Sequence, residues 1–344
     1  MAQKQQQINI EFKKMAKSKE KRYYQLANQI LYPQGIDCRA IACNQNFNLI
    51  LLTIENKVHV FQFKKEALKL VQIISQNQKA VTTLNFSKYN PLFFFGSSDC
   101  SITVNSQNLI KNAKYIIKLK GHLAGVNCSI LHPKENLLIS GSDDFTIKFW
   151  NSTIQEWSYQ QTIDQHKDSV RGLSINENGN QLISSGDDKQ ILVIEYSKDN
   201  IWKVKQMIEM FSYRILFISN ESFIILPYLS NTFELYSLNQ DGLFIKQNGF
   251  PIKNEGKYCS CFCPAVYIPE KNWLFLKNGI NLSIFQFDFQ SENNQFFQNC
   301  KINQTINLGH HKFCGTVSQN GEYLITWNAR ASQLDIRKIN KQKI

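Results

Sequence analysis

The sequence predicts an all-β chain made of seven copies of one structural unit. Three observations carry this. Apolar residues rich in Val, Ile, Phe and Tyr alternate with polar ones at a period of two along most of the chain, the mark of half-buried strands. Gly, Asn, Asp and Pro fall between those runs, where turns need them. The runs recur in groups that begin near residues 38, 81, 126, 170, 215, 259 and 314, with steps of 43 to 45 residues except the last, which is 55. No stretch of the body carries a convincing 3.6-residue apolar stripe. At 344 residues and 43% hydrophobic composition, one large domain with a sizeable core accounts for the chain.

Taken in order, the first unit holds CRAIAC at 38–43 and LILLTIENKVHVFQF at 49–63. The second holds AVTTLNF at 80–86 and FFFGSSDCSITV at 93–104. The third, Gly121 to Asn151, opens on Gly-His, closes on Phe-Trp-Asn and contains the acidic turn SGSDD. The fourth begins at His166, 44 residues after His122, and repeats the order His, strand, turn, strand, Asp-Asp turn, strand. Val126 and Val170 open the first strands of these two units. The fifth pairs YRILFI at 213–218 with FIILPYLSNTFELYSL at 223–238, and the sixth pairs YCSCFCPAVYI at 258–268 with WLFLKNGINLSIFQF at 273–287. The polar run QSENNQFFQNC at 290–300 fits a long loop before the seventh unit, which starts at Phe313 and has only three strands. The segment YYQLANQILYP at 23–33 precedes the first unit and is placed beside Gln333–Ile339 as the missing fourth strand, with Pro33 marking the turn after it.

The third unit resembles a WD40 repeat, the blade of a β-propeller, and the 44-residue step to the fourth is in the range of that repeat. The resemblance is fullest over residues 121–196, and the other units follow in register. It implies a single seven-bladed β-propeller over residues 23–339, closed by an N-terminal strand in the last blade, with basic tails at 1–22 and 340–344. It also implies a buried hydrogen-bonded brace in each complete blade. Blade three supplies all four members, His122, Ser140, Asp144 and Trp150. Blade four supplies His166, Ser184 and Asp188, with Ile194 where Trp would stand. Blade two offers Asp99 alone. The function implied is a non-catalytic protein–protein interaction scaffold, a subunit of a larger assembly. Partners would meet the narrower face, where the turn between second and third strands projects. Asp143, Asp168, Arg171 and Asp187 are the residues expected there.

Ser, His and Asp in one unit also invite a hydrolytic reading, but their spacing is that of the structural brace. The G-x-S-x-G elbow of a serine hydrolase is absent, as are P-loop, G-x-G-x-x-G, HExxH and EF-hand patterns. No enzyme activity, cofactor or small-molecule substrate is therefore expected. Asp143–Asp144 and Asp187–Asp188 read as one turn-forming carboxylate each plus a solvated neighbour, not as cation sites. Nine cysteines are present, of which Cys259, Cys261 and Cys263 alternate and would share one face of a strand. Residues two apart on a strand stand roughly 6–7 Å apart, awkward for ligands of one metal ion, so buried packing is expected and no metal. The odd number, the scatter and the lack of an apolar leader point to a reducing compartment, cytoplasm or nucleus.

The net charge is +12, and it sits at the ends. Residues 1–22 carry seven cations against Glu11 and Glu20, a net +5, and Arg337, Lys338, Lys341 and Lys343 add +4. The body keeps only +3. Closure would gather the two ends, so Lys13, Lys14, Lys17, Lys19, Lys21 and Arg22 join those four as candidate contacts for RNA, an acidic protein surface or anionic lipid. An RNA-associated propeller is the alternative function on that ground.

Overall fold

A computed structural model of the chain describes residues 23–75, 77–109, 116–152, 157–255, 258–259, 263–288 and 299–340. It is a seven-bladed β-propeller. Seven four-stranded antiparallel sheets follow one another along the chain. In blade three the strands are Val126–Leu131, Leu137–Ser142, Ile147–Ser152 and Trp157–Ile163, and in blade four Val170–Ile175, Gln181–Gly186, Gln190–Tyr196 and Trp202–Glu209. Among the described residues the only helices are two three-residue 3₁₀ turns, Gln107–Leu109 and Pro269–Lys271.

In six blades the four strands are consecutive. The seventh takes its outer strand from the other end of the chain: Tyr24–Leu31 pairs antiparallel with Gln333–Ile339, Tyr24 opposite Ile339 and Leu31 opposite Gln333. Asn340 N–H then donates to Tyr23 O at 2.7 Å.

Hydrophobic residues on a propeller blade face the next blade, so the core lies in layers between sheets. Blades three and four share one layer, in which Phe149 stacks on Trp202 at 5.2 Å. Blades two and three share another, with Phe94, Val126, Leu138 and Trp150 all buried. The largest joins blades six, seven and one across the seam and contains Tyr24, Trp273, Phe275, Phe313 and Trp327.

The valines that open the first strands have a steric counterpart in the preceding blade. A Cβ on Gly96 would lie 2.7 Å from Val126 Cγ1, and one on Gly141 would lie 2.5 Å from Val170 Cγ1. The second-strand glycine is the socket into which the next blade's valine fits, and both valines are fully buried.

One element departs from the sequence reading. The first strand of blade six is Val266–Ile268, not a strand beginning near 259. Cys259 lies outside any strand, Cys263 has φ +85°, and Cys261 falls outside the described residues. The alternation therefore does not place Cys259 and Cys263 on one strand face.

Candidate functional site

The acidic turns of blades three and four project at the same end of the molecule as the segments that enter their first strands. Blade three brings its four brace residues together there. His122 Nδ1 lies 2.8 Å from Asp144 Oδ2, His122 Nε2 lies 2.7 Å from Ser140 Oγ, and Trp150 Nε1–H donates to Ser140 Oγ at 2.9 Å. One direction of donation satisfies every member: Trp150 to Ser140, Ser140 O–H to His122 Nε2, His122 Nδ1–H to Asp144. Gly121 lies beneath the indole, since a Cβ there would sit 2.9 Å from Trp150 Cη2. Asp144 also accepts from Leu123 N–H at 2.8 Å and from Thr146 Oγ1–H at 2.6 Å. Burial pushes its carboxyl up, but the bonds from His122, Thr146 and Leu123 outweigh that and hold it well below the ordinary carboxylate range.

Blade four repeats the geometry without the indole. His166 Nδ1 lies 2.9 Å from Asp188 Oδ2 and His166 Nε2 lies 2.8 Å from Ser184 Oγ, while Ile194 packs where Trp150 does in blade three. In blade two Asp99 takes Lys118 as partner, 2.9 Å from its ammonium, together with Ser101. Burial pushes Asp99 up and these bonds bring it below its usual value.

The second carboxylates of the turns are not merely solvated, which corrects the sequence reading. Arg171 links them across the boundary between blades. Its Nε and Nη2 each lie 2.7 Å from Asp187 Oδ2, and its Nη1 lies 3.1 Å from Asp143 Oδ1. Asn127 Nδ2 donates to Asp143 at 2.8 Å. Three of the four expected partner-facing residues thus form one network, and Asp168 stands exposed beside it, accepting from Ser169 N–H at 2.7 Å. Arg171 also lines an axial cavity of about 140 Å³ together with Arg39, Asn85, Tyr213 and Cys314. That volume is well below the 300 Å³ or more of a typical small-molecule site.

Sequence reasoning missed the apolar side chains around this network. Leu123 is 90% exposed and Phe145, at φ +69°, is 43% exposed. They flank the hydrogen bond from Leu123 N–H to Asp144. Farther round the same end, Phe211, Tyr213 and Tyr228 pack together, Tyr213 edge to face on both others and Phe211 tilted against Tyr228, with centroids 4.9–5.4 Å apart. A single apolar residue in a turn has no periodicity to betray it.

Of the basic residues at the C-terminal end, Arg337 and Lys338 lie in the strand Gln333–Ile339, where the closing-strand reading puts them, and both are ion-paired there. Arg337 Nη2 lies 2.7 Å from Asp335 Oδ2, and Lys338 pairs with Glu66 and Glu322. Lys13, Lys14, Lys17, Lys19, Lys21, Arg22, Lys341 and Lys343 lie outside the described residues. Among the described residues no group of three or more His, Cys, Asp or Glu could hold a metal ion, and no helix is long and apolar enough to cross a membrane.

A buried cation that the sequence did not announce sits near the axis. Lys277 is 1% exposed, donates to Phe313 O at 2.9 Å and lies over the Phe313 ring at 4.3 Å. Burial, with the Arg214 guanidinium nearby, lowers its amine to about 8. A lysine whose folded value lies below its unfolded 10.5 costs stability at neutral pH, and the cost fades as pH rises from about 8 through 10.5. Lys277→Met should therefore stabilise by about 1–2 kcal/mol at pH 7, after allowing for the lost bond to Phe313 O, with the advantage gone by pH 10.5. Urea unfolding at pH 7 and pH 10.5 checks this.

Residues 113–151 and 157–195 match the family model described as WD domain, G-beta repeat. DDB1- and CUL4-associated factor 13 of Xenopus tropicalis is 41% identical over 78 residues, 22% of this chain and 17% of that protein. Pre-mRNA-processing factor 19 of Bos taurus is 32% identical over 94 residues, 27% of this chain and 18% of that protein. The aligned stretch spans less than a fifth of either relative. A chain in a crystal structure of the mitotic checkpoint complex superposes with a TM-score of 0.74 over 94% of this chain and 95% of that one, at 16% identity, a likeness of fold alone.

Proposed function

Because the chain carries WD40 repeats within a seven-bladed propeller, we propose that it is a protein–protein interaction scaffold, working as a subunit of a larger assembly. The observation that carries this is the surface across blades three and four. Leu123 and Phe145 stand out of it as exposed apolar side chains beside Asp144, at the same end as Asp143, Asp168, Arg171 and Asp187. Exposed apolar residues beside a fixed polar rim are the anatomy of a docking site. The rim is preorganised, because Arg171 is held from two blades at once. The brace below supports a structural role for its residues: His122 has both ring nitrogens engaged and the residue is 6% exposed, so neither nitrogen is open to a substrate.

The test is quantitative affinity purification with mass spectrometry on the full chain, the double variant Leu123→Asp/Phe145→Asp, and the control Tyr89→Asp at the opposite end. The proteins retained by the wild type should fall at least tenfold with the double variant and stay with the control. Equal retention by all three would place docking elsewhere. Retention of RNA in place of protein, lost at high salt, would favour the nucleic-acid alternative.

A further inference from the structure

Blade seven takes its outer strand, Tyr24–Leu31, from the other end of the chain with no covalent link across the seam, and close to this seam, near the axis, two thiols face each other. Cys38 lies between the closing strand and blade one, and Cys314 lies in the first strand of blade seven, Phe313–Val317. They are 3% and 1% exposed, and their sulfurs are 3.2 Å apart. A disulfide needs about 2.05 Å, so the sulfurs must approach by roughly 1.2 Å, within reach of side-chain rotation. Cys314 lines the axial cavity, which gives a small molecule a route to one sulfur of the pair.

We propose that Cys38 and Cys314 form a redox modification site, converted by a peroxide into a disulfide that locks the ring. The Cys314 thiolate attacks a peroxide oxygen, the O–O bond breaks, and water leaves after one proton is taken up, giving a sulfenic acid. The Cys38 sulfur then attacks that sulfur, the S–O bond breaks, and the oxygen departs as water with the Cys38 proton. Two thiols and one hydrogen peroxide give one disulfide and two waters. The order follows from access, since the cavity reaches Cys314 and Cys38 is the resolving partner packed against it.

The bond spans 276 residues and joins the inner strand of blade seven directly to the entrance of blade one. It bypasses the closing strand, so the ring stays shut even when Tyr24–Leu31 detaches from its neighbour. Burial pushes the Cys314 thiol well up, with Cys38 adding to this and Lys277 partly opposing it, so the reaction quickens as pH rises.

The experiment treats the folded full chain with hydrogen peroxide at pH 7 and pH 9, alkylates it, and digests it without reductant. The expected product is a peptide pair joined through Cys38 and Cys314, two hydrogens lighter than the separate thiols and formed faster at pH 9. The unfolding midpoint should rise by about 5 °C, reversed by dithiothreitol. Cys38→Ser and Cys314→Ser should each lose the link and the shift, whereas Cys263→Ser keeps both. Recovery of Cys38 and Cys314 as separate alkylated or sulfinic residues from the folded wild type would overturn the proposal. A link that forms only in urea would overturn it equally, and both readings need no variant to fold.

Discussion

Tyr24→Ala is expected to destabilise the protein by about 3–5 kcal/mol, the range for deleting a large buried aromatic side chain. Tyr24 is 2% exposed and lies edge-on to Trp273 at 6.4 Å and Phe275 at 6.0 Å. Its hydroxyl donates to Gly321 O, and Gln304 binds its N–H at 2.8 Å. It therefore fastens the closing strand to blade six as well as to blade seven. Tyr24→Phe should cost only about 1 kcal/mol, the loss of one partner for Gly321 O. Burial holds the phenol well above its usual 10, so its contribution is complete below pH 10 and is lost as pH rises through the folded value. Tyr24→Phe removes that alkaline loss. Urea unfolding of the three proteins at pH 7 and pH 11 measures both effects, and a Tyr24→Ala cost below 1 kcal/mol would show that the strand contributes little to closure.

His122→Ala should cost roughly 1–3 kcal/mol, because it leaves Ser140 and Asp144 without their shared partner in a buried site. His166→Ala should cost less. Blade four has no indole feeding its serine, so a shorter chain of bonds is broken. Acid unfolding gives an independent check. The folded Asp144 carboxyl titrates below its unfolded value of 3.8, so its stabilisation is present above that value and is lost as pH falls through the folded one. His122→Ala should flatten that acid limb. A variant that unfolds like the wild type at every pH would refute the brace as a source of stability.

The ring was legible because the unit repeats. Strand alternation and a near-constant step give the number of blades, and Gly121, His122, Asp144 and Trp150 mark blade three by residue type alone. The first strand of blade six begins later than the alternation suggests because Cys259, Cys261 and Cys263 satisfy period two in sequence although Cys259 and Cys263 lie outside any strand, while the true strand has three residues, too few to show a period. The brace could be read as a set because buried polar groups must find one another. Leu123 and Phe145 could not, because their meaning lies in exposure, which pattern does not encode. Nothing in the local sequence marks Lys277 as buried, because its enclosure comes from packing between blades.

The closing strand also sets a clock. Gln29 and Asp335, hydrogen-bonded in the finished sheet, are 306 residues apart. During synthesis Tyr24–Leu31 leaves the ribosome before any blade exists, and its partner follows roughly 15–60 s later at about 5–20 residues per second. Six blades can stack on one another in that interval, but the first strand made is the last to pair. Until then it is an unpaired edge bearing Leu26 and Leu31, both exposed even in the finished protein. The nascent chain is thus most open to capture by a chaperone, or to mispairing with another copy, just before the ring closes.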